Sequence, residues 1–128
     1  GTSELYRVVE AFDEVADSLV IDLEYLGRES FMALFVVPRT PGAVNDALRA
    51  RLLEAIRTQL SARHVPNEVF EIPEVPRTIS GKKLEVPVKK ILLGQPPETA
   101  CNRSAMLNPG SIDWFVALAA RRAAAPAG

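Results

Sequence analysis

Pro76-Arg77-Thr78-Ile79-Ser80-Gly81-Lys82-Lys83 is the stretch on which the reading of this chain turns. It follows Glu71-Ile72-Pro73-Glu74-Val75 and precedes Leu84-Glu85-Val86, both mixtures of apolar and acidic residues. A Ser-Gly pair makes a tight turn, because glycine adopts backbone angles that other residues avoid and serine bonds locally to backbone. The turn holds a lysine out on a loop, where its ammonium can meet a phosphate or carboxylate as a compact point charge. Ser-Gly-Lys alone is an ordinary surface turn with a solvated lysine. Its longer context gives it weight.

Upstream, Glu68 to Ile72 reads as a strand that delivers the chain to the loop. Downstream, Leu84, Val88, Ile91 and Leu92 make a short helix, stopped by Gly94-Gln95-Pro96-Pro97. Pro87 suits the first turn of that helix, where a missing N–H has no intrahelical partner. Further back, Val44, Leu48, Leu52, Ile56 and Leu60 form one stripe of a longer helix, with Arg49, Arg51, Glu54, Arg57 and Arg63 off it. It ends near His64-Val65-Pro66, since the residue before proline avoids helical angles.

At the start, Leu5, Val8, Val9 and Phe12 predict a helix capped by Thr2 or Ser3. Leu19, Ile21, Leu23 and Tyr25 alternate with Ser18, Val20, Asp22 and Glu24, as in a half-buried strand. Gly27-Arg28-Glu29-Ser30 turns the chain, and the apolar run Phe31 to Val37 returns as a second strand, covered on both faces, to form a hairpin. Residues 98–110 lack periodicity and read as an ordered or partly ordered linker. Ser111 is placed to cap a last helix with Ile112, Phe115, Val116 and Ala119 on one face, and the end from Ala123 frays. The sum is an α+β fold: a small three-stranded, mainly antiparallel sheet flanked by helices.

Composition narrows the function classes. With 128 residues, 48% hydrophobic and 24% charged, the chain can build a real core. A net charge of −1 argues against a nucleic-acid or anionic-membrane partner. The single cysteine, Cys101, allows no internal disulfide and no zinc cluster, which suits the cytoplasm. No apolar run approaches the roughly 20 residues of a membrane helix. His64 is the only histidine, without the partners of a metal site or triad, and reads as a helix terminator. Asp13, Asp17 and Asp22 are too spread for a calcium loop, and no metal ligands are assigned. Trp114 and Phe115 read as anchors of the tail helix. The scattered glycines make no phosphate cradle.

Pro-Arg-Thr-x-Ser-Gly-Lys after a strand resembles the last core motif of the adenylate-forming acyl-CoA synthetases. Gly1-Thr2-Ser3-Glu4-Leu5-Tyr6 is similar to the segment that opens their small C-terminal domain, after the hinge. His64-Val65-Pro66 resembles the turn ahead of the strand into the lysine loop, and the 16 residues from Pro66 to Lys82 match the family's interval. The run Lys82-Lys83-Leu84-Glu85-Val86 and the tail Leu107-Asn108-Pro109-Gly110-Ser111-Ile112-Asp113-Trp114-Phe115 are most similar to the acetoacetyl-CoA synthetase branch.

The resemblance implies a lid domain over residues 1–94, a linker and helical extension over 95–128, and a large N-terminal ATP and substrate domain that is not in this sequence. The chain, opening at Gly1 inside a motif, reads as a fragment, inactive as a ligase on its own. The implied partners are that N-terminal domain, acetoacetate, ATP with Mg2+, and CoA. Lys82 is implied as the adenylation lysine, with Ser80 and Gly81 shaping its loop. Gly1 would line the CoA side, and Arg57 would either reach CoA phosphates through its two-pronged guanidinium or stand as a solvated helix charge. Glu4 alternatively favours its own helix start. Two other readings stay open: another short-chain acyl- or acetyl-CoA synthetase lid, and a non-catalytic α+β module whose lysine loop binds a partner or phosphate.

Overall fold

The computed structural model of the chain describes residues 2–23 and 31–124. In chain order the elements are α1 (Thr2–Glu10), β1 (Val15–Leu23), β2 (Phe31–Pro38), α2 (Asp46–Gln59), β3 (Glu68–Glu71), α3 (Glu85–Leu92), the single turn α4 (Pro97–Ala100) and α5 (Ile112–Ala124). Short 3-10 turns lie at Ala62–His64, Arg103–Ala105 and Pro109–Ser111. The elements gather into two compact units, one up to Val75 and one from Pro76 onward.

The first unit is built on a sheet of order β1-β2-β3. β1 and β2 run antiparallel, with Leu23 opposite Phe31 and Val15 opposite Pro38. β3 joins β2 in parallel, from Ala33 beside Glu68 to Val36 beside Glu71. Parallel neighbours need a crossover, and α2 supplies it. The fold is thus α+β, as expected, with a mixed sheet in which the antiparallel ladder is the longer. Val20, Leu34, Val36 and Val69 share one core with Leu5, Val8 and Val9 of α1 and Leu48, Leu52 and Ile56 of α2. Fully burying a side chain of this kind contributes roughly 1.5–3 kcal/mol.

β1 departs from the expected half-buried strand. It begins at Val15, and Ser18, Leu19, Val20 and Ile21 are buried in succession, so both its faces are covered. Val20 carried the signal, an apolar side chain at a position assigned to solvent. Ser18 is tolerated inside because its hydroxyl donates to Glu10 Oε2 at 2.7 Å, leaving no unpaired buried donor. Tyr25 and the turn Gly27–Ser30 lie outside the described residues. α1 stops at Glu10, and Thr2 and Ser3 sit within it rather than capping it. α2 starts at Asp46 because Asn45 Oδ1 accepts from the Leu48 N–H at 2.8 Å, an N-cap that satisfies one orphan donor. The loop before it is fixed by Glu71, whose carboxylate accepts from Gly42 N at 2.9 Å and Val44 N at 3.1 Å.

In the second unit α3 packs on α5, burying Val88, Ile91 and Leu92 with Ile112, Phe115 and Leu118. Pro87 lies in the first turn of α3, as expected. Gly94, at φ +102°, ends the helix in a left-handed conformation. Gln95 N then donates to Lys90 O at 2.9 Å and Gly94 N to Ile91 O at 3.0 Å, the paired bonds that satisfy a helix's last carbonyls. Residues 98–110 are built from short ordered pieces. They carry the end of α4, two 3-10 turns and the buried Met106. Pieces this short show no apolar period, so the sequence pattern missed them. Ser111 does not accept as a cap either: its hydroxyl donates to Asn108 O at 2.7 Å. Among the described residues no helix is long and apolar enough to cross a membrane.

Candidate functional site

The loop carrying Lys82 is a narrow hairpin. Arg77 and Lys83 form an antiparallel bridge, Thr78 N donates to Lys82 O at 2.9 Å, and Gly81 N donates to Thr78 O at 2.9 Å. Gly81 turns the chain at φ +92°, where an L side chain would be strained, although a Cβ there would meet nothing within 4 Å. A substitution at Gly81 would therefore act through backbone angle alone.

Side chains tighten the turn further. Thr78 Oγ1 accepts from Lys82 N at 3.0 Å and lies 2.9 Å from Ser80 Oγ. The Arg77 guanidinium donates to Gly81 O at 2.6 Å. Both peptide groups of Lys82 are thus held, by Thr78 Oγ1 on one side and Thr78 N–H on the other, while the residue itself stays exposed. A backbone fixed at both ends with a free ammonium beyond it is how a chain presents a point charge to an anion.

The outer strand of the hairpin pairs with a distant segment. Thr78 bridges Met106, Ile79 N donates to Ala105 O at 3.1 Å, and Leu107 N donates to Arg77 O at 3.0 Å. Asn108 Oδ1 accepts from Arg77 N at 3.0 Å. These supporters escape sequence reasoning. Arg77 and Thr78 stand in the motif, but nothing marks Ala105 to Asn108 as their neighbours.

Ser80, Gly81 and Lys82 therefore share one loop, in the unit from Pro76 onward. Arg57 belongs to the other unit, in the last turn of α2, and Gly1 lies outside the described residues. Arg57 is exposed and forked onto Glu54, with Nη2 to Oε1 at 2.6 Å and Nε to Oε2 at 3.1 Å. That hydrogen-bonded guanidinium holds the Glu54 carboxyl below the ordinary glutamate value, and Glu54 raises Arg57 in turn. A lowered carboxylate pKa means the pair is intact at neutral pH and parts only as the pH falls through that value. Exposed pairs are weak and salt-screened, so a polyanion can compete for the arginine. His64 Nδ1 lies 2.7 Å from Ser61 Oγ, and its Nε2 is 3.9 Å from Glu4 Oε2. Ser61 directly precedes the 3-10 turn that His64 ends, and Glu4 lies in the first turn of α1. Among the described residues no group of three His, Cys, Asp or Glu could hold a metal ion.

Comparison with known proteins gives the loop a context. The family described as AMP-binding enzyme C-terminal domain matches residues 7–82. Acetoacetyl-CoA synthetase of Gallus gallus is 42% identical over 115 residues, 90% of this chain and 17% of that protein. Acetoacetyl-coenzyme A synthetase of Rhizobium meliloti (strain 1021) is 35% identical over 118 residues, 92% of this chain and 18% of that protein. Among solved structures, acetoacetyl-CoA synthetase from Streptomyces lividans superposes with a TM-score of 0.86 at 42% identity, covering 95% of this chain and 18% of that one. The chain thus spans less than a fifth of the length of the relatives it matches.

Proposed function

The chain belongs to the AMP-binding enzyme C-terminal domain family, and on that premise we propose that it is the lid of an AMP-forming acid–thiol ligase that joins acetoacetate to CoA. One observation carries the choice of acid. The likeness to acetoacetyl-CoA synthetases runs over 115 residues, well past the span 7–82 that the family shares. The tail, where the motif Leu107–Phe115 lies, takes part in it.

In this reading residues 1–94 are the lid and 95–128 an extension, and a large N-terminal domain holds ATP and the acyl pocket. The intact ligase, a cytoplasmic enzyme, consumes acetoacetate, ATP and CoA and releases acetoacetyl-CoA, AMP and pyrophosphate. Magnesium would arrive with ATP; this chain's described residues offer no cluster to hold it. A carboxylate oxygen of acetoacetate attacks the α-phosphorus, and pyrophosphate leaves. Negative charge builds on the α-phosphate oxygens, and the Lys82 ammonium stabilises it while orienting the incoming carboxylate. The CoA sulfur then attacks the acyl carbon, and AMP leaves. The lid serves the two steps in two poses, with the lysine loop at the phosphate only in the first.

Grafting tests this reading. Residues 1–128, put in place of the matching segment of the Streptomyces lividans enzyme, should sustain acetoacetyl-CoA formation. The 128-residue chain alone should form no acyl-CoA. A folded graft that is inactive, or activity of the chain alone above a blank preparation, would overturn it.

Arg57 is assigned to the CoA phosphates in the second pose. Arg57→Ala in the intact ligase should raise the CoA KM more than the ATP KM, losing a charge-assisted bond of roughly 1.5–3 kcal/mol. Glu54→Gln should move the CoA KM the other way, because it releases the guanidinium from its present partner. An unchanged CoA KM in Arg57→Ala would return the residue to the solvated helix face.

A further inference from the structure

Arg77 is the hub through which a remote segment reaches the lysine loop. Its N–H donates to Asn108 Oδ1 at 3.0 Å, its carbonyl accepts from Leu107 N at 3.0 Å, and its Nη1 donates to Gly81 O at 2.6 Å. The Gly81 carbonyl belongs to the peptide that enters Lys82. Two links therefore join Asn108 to the peptide of Lys82, and the Ile79–Ala105 bond adds a second tie at the loop tip. The segment Ala105–Asn108 lies beyond the residues matched by the shared family domain, which end at 82, so this brace is an addition to it.

A loop turned on glycine has wide conformational freedom when left alone. An ammonium that must meet a phosphate in a reacting geometry cannot use that freedom, since a misplacement of about 1 Å can cost about 100-fold in rate. We propose that the segment Ala105–Asn108, acting through Arg77, positions Lys82 for the adenylation step. Arg77 and Asn108 are positioning residues, and the proposal rests on the reading above in which Lys82 is the catalytic lysine. The guanidinium suits the task because it stays charged and presents its donors in a rigid plane. Ile79 and Leu107 remain exposed beside it while Met106 is buried, so backbone bonds and one buried side chain hold the ladder together.

The test uses the intact ligase and two half-reactions: pyrophosphate exchange for adenylation, and thioester formation from premade acetoacetyl-adenylate. Arg77→Gln should slow exchange by about 10- to 100-fold through kcat, with the ATP KM nearly constant. Arg77→Lys should recover part of the loss, having a donor but no fork. Asn108→Ala should show a smaller loss of the same kind, and it carries the test if Arg77→Gln fails to fold. All three should make the thioester at close to the parent rate. Exchange at the parent rate in Arg77→Gln and Asn108→Ala, alongside its abolition in Lys82→Ala, would overturn the brace and leave the lid reading standing. Equal losses in both half-reactions would show that the segment only holds the fold, and would overturn the brace too. Exchange that survives Lys82→Ala would remove the lid reading and the brace together.

Discussion

Lys82→Ala in the intact ligase is expected to cost about two to three orders of magnitude in pyrophosphate exchange, the usual penalty for removing a preorganised charge from a transition state. Given premade acetoacetyl-adenylate and CoA, the same variant should form the thioester at nearly the parent rate. The two expectations follow from where the charge develops. In adenylation, negative charge would accumulate on phosphate oxygens, and the proposed reading brings the ammonium of Lys82, an exposed residue whose backbone is held at both ends, to meet it. On the proposed two-pose reading, the acyl carbon is attacked only after the lid has turned, and the lysine then has no charge to stabilise. Lys83→Ala should spare both steps, because its backbone bridge to Arg77 does not depend on the side chain. Equal loss in the two half-reactions of Lys82→Ala would mean that Lys82 supports the fold rather than the chemistry.

What the sequence disclosed about the site is what local chemistry determines. The Ser80-Gly81 turn is legible because its bonds close within four residues and glycine supplies the positive φ. The stop of α3 is legible for the same reason: Gly94 and Gln95 satisfy carbonyls only a turn away. The brace is not, since Asn108 stands 31 residues from Arg77 and a buried methionine between short turns leaves no periodic trace. The fold shows the same limit. Alternation announces a strand but carries no direction, so the parallel pairing of β3 with β2 waits on tertiary structure. The burial of Ser18 likewise depends on Glu10, a partner on a different element. Arg57 marks a further boundary. Its spacing from Glu54 could have announced the i,i+3 pair, yet that pair says nothing of the phosphate contact proposed for the arginine.

Phe115→Ala should have the largest effect on stability in the unit that carries the lysine loop. Phe115 is fully buried on α5 and edge-on to Trp114, ring centres 5.1 Å apart, with Ile112 and Leu118 buried on either side of it in sequence. α5 packs on α3, and α3 begins two residues after Lys83, so the tail helix holds the element that the loop runs into. Truncating a buried phenylalanine to alanine typically costs about 3–5 kcal/mol, through lost transfer energy and the cavity left behind. That is a large share of the roughly 5–15 kcal/mol that keeps a domain folded. Urea unfolding of the purified chain should show the loss, and hydrogen exchange should show where it falls, with the amides of Val88 and Ile91 in α3 losing protection. Asp113→Ala, two residues earlier, is the control. It breaks an exposed ion pair with Arg103 at 3.0 Å, and such pairs contribute about 0–1 kcal/mol. If Phe115→Ala unfolds at the parent midpoint with α3 still protected, the tail helix is not what holds α3. The order of the residues after Lys82 would then need another cause.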